Sequence, residues 1–269
     1  MTETLVPLFI INMKTSVDRK AFIQHQFDSL MQSPPLTHVD YQFFEAINGK
    51  ENPDFPLFKK HNAKKRFERK GSVSTLGQLG CFASHYLLWE KCVALNAPII
   101  VLEDDAILQQ NFLSAYQFLC QGANQFEFLW LSPPSPAKRN QPEKPIYAIP
   151  NSDNYVAQFY GQWSNTTGYY LTPKAAKKFL AQSQEWIFDV DITMERYWEN
   201  NVPYLALKPF CLEPNFELES NVPIDKGRAN RTLLIRLKRE YYKIQDKIKK
   251  RIFDLRHRSR YGKKFEHFF

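Results

Sequence analysis

Short apolar runs alternate along the chain with longer stretches whose apolar residues recur every three or four positions, which predicts strands alternating with helices. Leu5 to Ile11 reads as a buried strand that ends at Asn12. Thr15-Ser16-Val17-Asp18 resembles a capping box, and Phe22, Ile23, Phe27, Leu30 and Met31 follow at helical spacing until Pro34-Pro35 breaks the helix. Val39, Tyr41 and Phe43 alternate as a second strand. Residues 50 to 74 carry a basic cluster and little periodicity, so they read as a long loop. Ser74-Thr75 can cap a helix that displays Leu76, Leu79, Phe82, Ala83, Tyr86 and Leu87 and ends near Asn96. Further on come a helix over 112–120, a strand over 126–131, β-like segments over 146–149 and 156–160, and Thr172-Pro173 opening another helix. A helix from Asp189 to about Asn200 and a strand over 202–207 close the body.

The organising stretch is Ile99-Ile100-Val101-Leu102-Glu103-Asp104-Asp105. Four apolar residues, three of them β-branched, predict a strand buried on both faces, as in a parallel sheet. Three carboxylates then sit at its carboxyl end, where open α/β sheets bind ligands. Such crowding is costly unless a cation arrives, and Mg²⁺ or Mn²⁺ bound with a nucleotide diphosphate suits hard oxygen ligands. The competing reading is a solvated acidic turn. Asp189-Val190-Asp191 is a second acidic pair at a helix start, where simple capping competes with chemistry. His85, mid-helix, reads either as a hydrogen-bonded structural residue or as part of a pocket.

With 269 residues, 43% of them hydrophobic and 15% aromatic, the chain has material for one large folded domain and an extension. The N-terminus lacks the basic segment and small-residue cleavage site of a signal peptide, and no apolar run reaches the roughly 18 residues of a membrane span. Four cysteines without CxxC spacing read as reduced, mostly buried thiols of a cytosolic protein.

The net charge of +8 hides an asymmetry. Residues 226–269 hold 16 Lys and Arg against four acids, whereas residues 1–225 hold 20 basic and 24 acidic groups. From about Arg231 the tail reads as one long helix, with Leu234, Leu237, Tyr241, Ile244, Ile248, Ile252 and Leu255 in a stripe among cations. A helix of this kind suits an anionic membrane surface, or packing on the body with its charges solvated. The chain therefore divides into a body, 1–225, and a basic amphipathic tail, 226–269. Nucleic-acid binding by the tail and loop 50–74 is a weaker reading, because the body is net acidic. A metal-dependent nucleotidyltransferase is a further alternative.

The run Gly77-Gln78-Leu79-Gly80-Cys81-Phe82-Ala83-Ser84-His85, then Trp89, then Leu102-Glu103-Asp104-Asp105, resembles glycosyltransferase family 25, which includes bacterial lipopolysaccharide β-galactosyltransferases and collagen galactosyltransferases. Ile11-Asn12 with Arg19, Phe44-Glu45-Ala46-Ile47-Asn48-Gly49, Thr167-Gly168-Tyr169-Tyr170-Leu171-Thr172 and Asp189-Val190-Asp191 extend the resemblance in the family's order over roughly residues 8 to 221. It implies an α/β fold of GT-A type, a Rossmann-like mixed sheet flanked by helices, and an inverting transfer of galactose from UDP-galactose. Glu103 and Asp105 would then be the DxD-type metal ligands for Mn²⁺ or Mg²⁺, with Asp104 between them. Asn12 and Arg19 would face the uridine and diphosphate, and Ser84 and His85 the donor pocket. An inverting displacement needs a base for the acceptor hydroxyl, for which Asp191, or else Asp189, is the candidate. A lipooligosaccharide acceptor on the inner face of the inner membrane completes the expectation.

Overall fold

The structure, a computed structural model, describes residues 5–32, 38–121, 125–217 and 232–265, with side chains to 256. The helix break at Pro34-Pro35 and the body–tail boundary at 225/226 lie outside the described residues. In chain order the elements are β1 (Leu8–Asn12), α1 (Val17–Met31), β2 (Tyr41–Glu45), α2 (Ala63–Lys70), α3 (Leu76–Leu95), β3 (Ile99–Glu103), β4 (Ala106–Leu108), α4 (Phe112–Gln121) and β5 (Phe128–Trp130). There follow β6 (Glu143–Ala148), β7 (Tyr155–Phe159), β8 (Gly168–Leu171), α5 (Pro173–Gln182), α6 (Val190–Met194), α7 (Tyr197–Asn200), β9 (Leu205–Lys208), β10 (Leu212–Pro214) and α8 (Leu233–Phe265).

Eight strands form one sheet in the order β2-β1-β3-β8-β5-β9-β7-β6. β1 runs parallel to β2 and β3, whereas β8 is antiparallel to both β3 and β5, so the sheet is mixed. The central strand thus has one parallel and one antiparallel neighbour rather than the all-parallel setting its apolar run suggested. Burial on both faces explains that run equally well.

Alternation along the strands assigns the two cores. Phe9, Ile11 and Val101 pack with Phe82, Trp89 and Phe179 of α3 and α5 on one face. Leu8, Ile10 and Ile100 pack with Phe27 of α1 and Phe112 of α4 on the other. This is the Rossmann-like mixed sheet, flanked by helices, expected of a GT-A fold.

Local chemistry sets the helix starts. Thr75 and Gln78 form a reciprocal capping box at α3, and the Thr172 side chain caps α5. Ser16 stands at the N-cap of α1 without a side-chain cap bond.

Three local expectations change. Residues 50–74 contain a 3₁₀ turn over Pro56–Lys60 and helix α2, whose Arg66 is buried at 2% exposure. The single helix expected from Asp189 to Asn200 is two short helices, because Glu195 and Arg196 at the break turn their side chains to tertiary partners. A small second sheet joins β4 to β10 directly after the carboxylates; its strands have three residues each, too few to carry a periodic signal.

α8 docks on the body by its polar and aromatic side. Arg196 grips Asp246 with two nitrogens at 2.6 and 2.9 Å, Tyr197 donates to Asp254 at 2.7 Å, and Lys238 pairs with Glu68 at 2.8 Å. Its aliphatic stripe faces outward, from Ile252 at 44% exposure to Leu255 at 66%. The four cysteines are free thiols, Cys92 and Cys211 buried, Cys81 and Cys120 partly so.

Candidate active site

The carboxyl ends of β1 and β3 and the start of β8 meet at one edge of the sheet, since Ile11 pairs with Glu103 and Leu102 with Gly168. A cleft of about 320 Å³ opens there. Its floor is the first turns of α3, which the segment 46–49 approaches without room for side chains. A Cβ on Gly80 would lie 2.2 Å from the Ile47 carbonyl oxygen, and one on Gly49 2.0 Å from that of Leu76. Ser84 fixes the same approach, accepting from Ile47 N at 2.9 Å and donating to Gly80 O at 2.9 Å. Its hydroxyl lines the cleft but is committed to the backbone.

The three carboxylates play different parts. Asp104 accepts from Asn12 at 2.7 Å and from Arg19 at 2.8 Å, so it ties the end of β3 to the end of β1 and the first turn of α1. Burial raises its carboxyl above the ordinary value, and these two donors oppose the rise. Arg19 still lines the cleft, where an anion would meet it.

Glu103 uses Oε1 to accept from Thr166 at 2.5 Å and to face His85 Nε2 at 3.3 Å. Burial pushes Glu103 up, but the imidazole of His85 and the Thr166 hydroxyl together bring it below the usual range. Tyr169 OH accepts from Trp89 at 3.0 Å and lies 2.9 Å from His85 Nδ1, so its own proton is free for that nitrogen. That leaves Nε2 as the ring nitrogen of His85 that faces Glu103.

Asp105 is the unpartnered one. Its Oδ1 is buried without a hydrogen bond among the described residues. Burial, with the charges of Glu103 and Asp104, pushes its carboxyl up to about 7. An orphaned carboxylate oxygen beside a second carboxylate is a donor set that fits a hard divalent cation. Cys81, His85 and Glu103 also converge, with ligand atoms within 4.8 Å of one another. Burial and the charges of Glu103, Asp191, Asp189 and Asp105 push the Cys81 thiol well up.

The charges of all four acids reach this one thiol, although Asp189 and Asp191 are not among the residues that line the cleft. Within the second motif the residues diverge. Asp189 stands at the N-cap of α6 but makes no side-chain cap bond there; its carboxylate pairs with buried Arg66 at 3.0 Å. Asp191 accepts from Ile192 N at 2.7 Å, and burial with the charges of Asp189 and Glu195 pushes it up to about 7.

Several residues were not legible beforehand. Lys50 lines the cleft one residue beyond the segment read as a motif. Arg66 lay hidden in a basic run, because nothing in such a run distinguishes the one cation that is buried. Thr166 reaches Glu103 from 63 residues away in sequence.

Residues 6–194 match the family model described as "Glycosyltransferase family 25 (LPS biosynthesis protein)". A "Glycosyltransferase 25 family member" of Aedes aegypti is 28% identical over 185 residues, covering 65% of this chain and 28% of the relative. "Procollagen galactosyltransferase 2" of Homo sapiens is 27% identical over 178 residues, covering 64% and 27%. "Procollagen galactosyltransferase 1-B" of Xenopus laevis is 27% identical over 238 residues, covering 84% and 38%. The chain thus spans between about a quarter and two fifths of the length of these curated relatives. With a family match over most of its length, and with that family's carboxylate and α3 motifs meeting in one cleft, the chain belongs to glycosyltransferase family 25.

Proposed function

We propose that this protein is an inverting glycosyltransferase that moves a hexose, galactose from UDP-galactose, onto an acceptor hydroxyl. The observation that carries the reading is the orphaned, buried Asp105 oxygen beside Glu103, in a cleft also lined by Arg19 and Lys50. Glu103 and Asp105 would hold Mn²⁺ or Mg²⁺, and a cation there neutralises charge on the leaving diphosphate. Arg19 and Lys50 offer the diphosphate further positive charge. Asn12 acts through Asp104, and Ser84, which lines the cleft, through the 46–49 segment, so both position the donor cleft. His85 orients Glu103.

Asp191 is the general base of this reading. A carboxyl with a value near 7 is matched to removing a hydroxyl proton at neutral pH. Asp189, engaged by Arg66, holds α2 against the start of α6.

The acceptor of the proposal is a lipooligosaccharide at the inner face of the inner membrane, approached by α8. The exposed aliphatic stripe supports this, as do the cations beside it, each worth about 1 kcal/mol near an anionic bilayer. Among the described residues no helix is long and apolar enough to cross a membrane. The test of the activity is UDP release from a panel of UDP-sugars with and without Mn²⁺. Turnover of UDP-galactose that requires the cation is expected, and absence of turnover with every UDP-sugar overturns the reading.

A further inference from the structure

A second cavity, of about 500 Å³, lies between α8 and the body. Seven Lys and Arg residues line it against two carboxylates, Glu195 and Asp246, so the balance of charge is strongly positive. Both acids are already engaged. Asp246 is held by Arg196, and Glu195 accepts from the backbone N–H groups of Trp163 at 2.6 Å and Ser164 at 2.9 Å. Among the described residues no carboxylate forms an ion pair with Lys70, Arg239 or Lys247.

Two donors on the same walls, Arg239 Nε and Trp198 Nε1, are buried with no acceptor among the described residues. Buried N–H groups without partners are uncommon and mark a place where an acceptor-rich group belongs. Several cations and two unpaired N–H groups around one cavity are the chemistry of an oxyanion site.

The cavity wall includes Ile192, the residue next to Asp191. Glu195 lines it too, and Lys70 on its wall is close enough for Asp191, Asp189 and Glu195 to act on its ammonium. Gly161 and Gln162 form another part of the wall, and Thr166, four residues beyond Gln162, bonds Glu103 in the first cleft. Four residues of chain span at most about 14 Å. Parts of the two walls therefore lie within the length of a short oligosaccharide of each other. The residues of α8 that line the cavity lie across the helix from its outward aliphatic stripe, so this face is turned away from any bilayer the stripe meets.

We propose that this cavity binds a phosphate group carried by the glycosyl acceptor, and so places the acceptor's sugar hydroxyl at Asp191. The proposal rests on the transferase reading for its acceptor, but its binding chemistry stands on the cavity alone. The full chain is titrated with glucose 6-phosphate and followed by tryptophan fluorescence, with Trp198→Phe to assign the signal. Saturable binding is expected, weakened about tenfold or more in Arg239→Gln/Lys247→Gln. Lys247→Gln alone, at an exposed position, guards against a folding defect in the double variant. In transfer assays the double variant should raise KM about tenfold for a phosphorylated sugar acceptor, with a smaller change in kcat and in KM for the unphosphorylated sugar.

Equal sugar-phosphate affinity in wild type and variants overturns the proposal. So does a loss confined to anionic-vesicle binding, which assigns these cations to lipid headgroups. If no UDP-sugar is turned over, the transferase reading falls while the titration still decides whether the cavity takes phosphate.

Discussion

Arg66, at 2% exposure, holds Asp189 Oδ1 at 3.0 Å, and that single ion pair separates two carboxylates only two residues apart. It occupies Asp189 and leaves Asp191 as the carboxyl whose protonation responds to neutral pH. Asp191→Ala is therefore expected to lower kcat by about 10²–10⁴-fold with little change in donor affinity, as for loss of a positioned base. Asp189→Ala should instead lower stability, since it strands a buried guanidinium. Steady-state kinetics and thermal melts of both variants check this, and the reverse pattern exchanges their roles.

The same carboxyl predicts a pH dependence of two signs. Asp191 must be ionised to accept a proton, so kcat should rise with pH through about 7. For stability, its folded value lies above the ordinary value of about 3.9, so the protonated form favours the folded state. That contribution is complete below about pH 4 and is lost as pH rises through about 7. Asp191→Asn should accordingly raise the melting temperature at pH 8 but not at pH 4. A melting temperature that responds equally at both pH values counts against the assignment.

Asp105→Asn is expected to abolish transfer while leaving the melting temperature the same or higher, because its Oδ1 is buried without a hydrogen bond among the described residues. Exhaustive chelation of the wild type should reproduce the loss, and added Mn²⁺ should restore it. A folded Asp105→Asn protein with full turnover refutes the metal site.

Gly80→Ala tests the floor of the cleft. The added methyl meets the Ile47 carbonyl oxygen at 2.2 Å, so α3 and the 46–49 segment must part. Overpacking of this kind costs about 1–3 kcal/mol. A drop in melting temperature together with weaker UDP-sugar binding, measured by calorimetry, is the expected result. Leu87→Ala, on the same helix but away from the cleft, should alter stability without that change in binding.

The membrane role of α8 is tested at its stripe, because deleting the helix would also take Asp246 from Arg196 and Asp254 from Tyr197. Leu237→Glu/Ile244→Glu/Ile248→Glu changes three exposed residues and should leave the fold intact. Co-sedimentation with anionic vesicles should fall sharply in this variant. Wild-type binding should weaken as salt is raised, since screening acts on the cations. Equal sedimentation of both proteins overturns the assignment.

Features that depend on neighbours along the chain can be read from the residues alone. The apolar run 99–102, the Thr75–Gln78 capping box, Thr172-Pro173 and the long stripe of α8 report local periodicity and local hydrogen bonding, and these became β3, α3, α5 and α8. The three carboxylates at the end of β3 were visible for the same reason, since charge crowding is a property of adjacent residues. Their division of labour comes from partners distant in sequence. Asp104 is spent on Asn12 and Arg19, 92 and 85 residues away, and Glu103 on His85 and Thr166, while Asp105 Oδ1 has no hydrogen bond among the described residues. Burial set the rest, because it cannot be read from a charged run: it selected Arg66 from a basic cluster and gave Asp191 a carboxyl that titrates near neutrality. It also turned the stripe of α8 outward, since Arg196 and Tyr197 offered buried partners to Asp246 and Asp254 on its other face. Periodicity finds an amphipathic helix, but which face meets the body is decided by what the body presents.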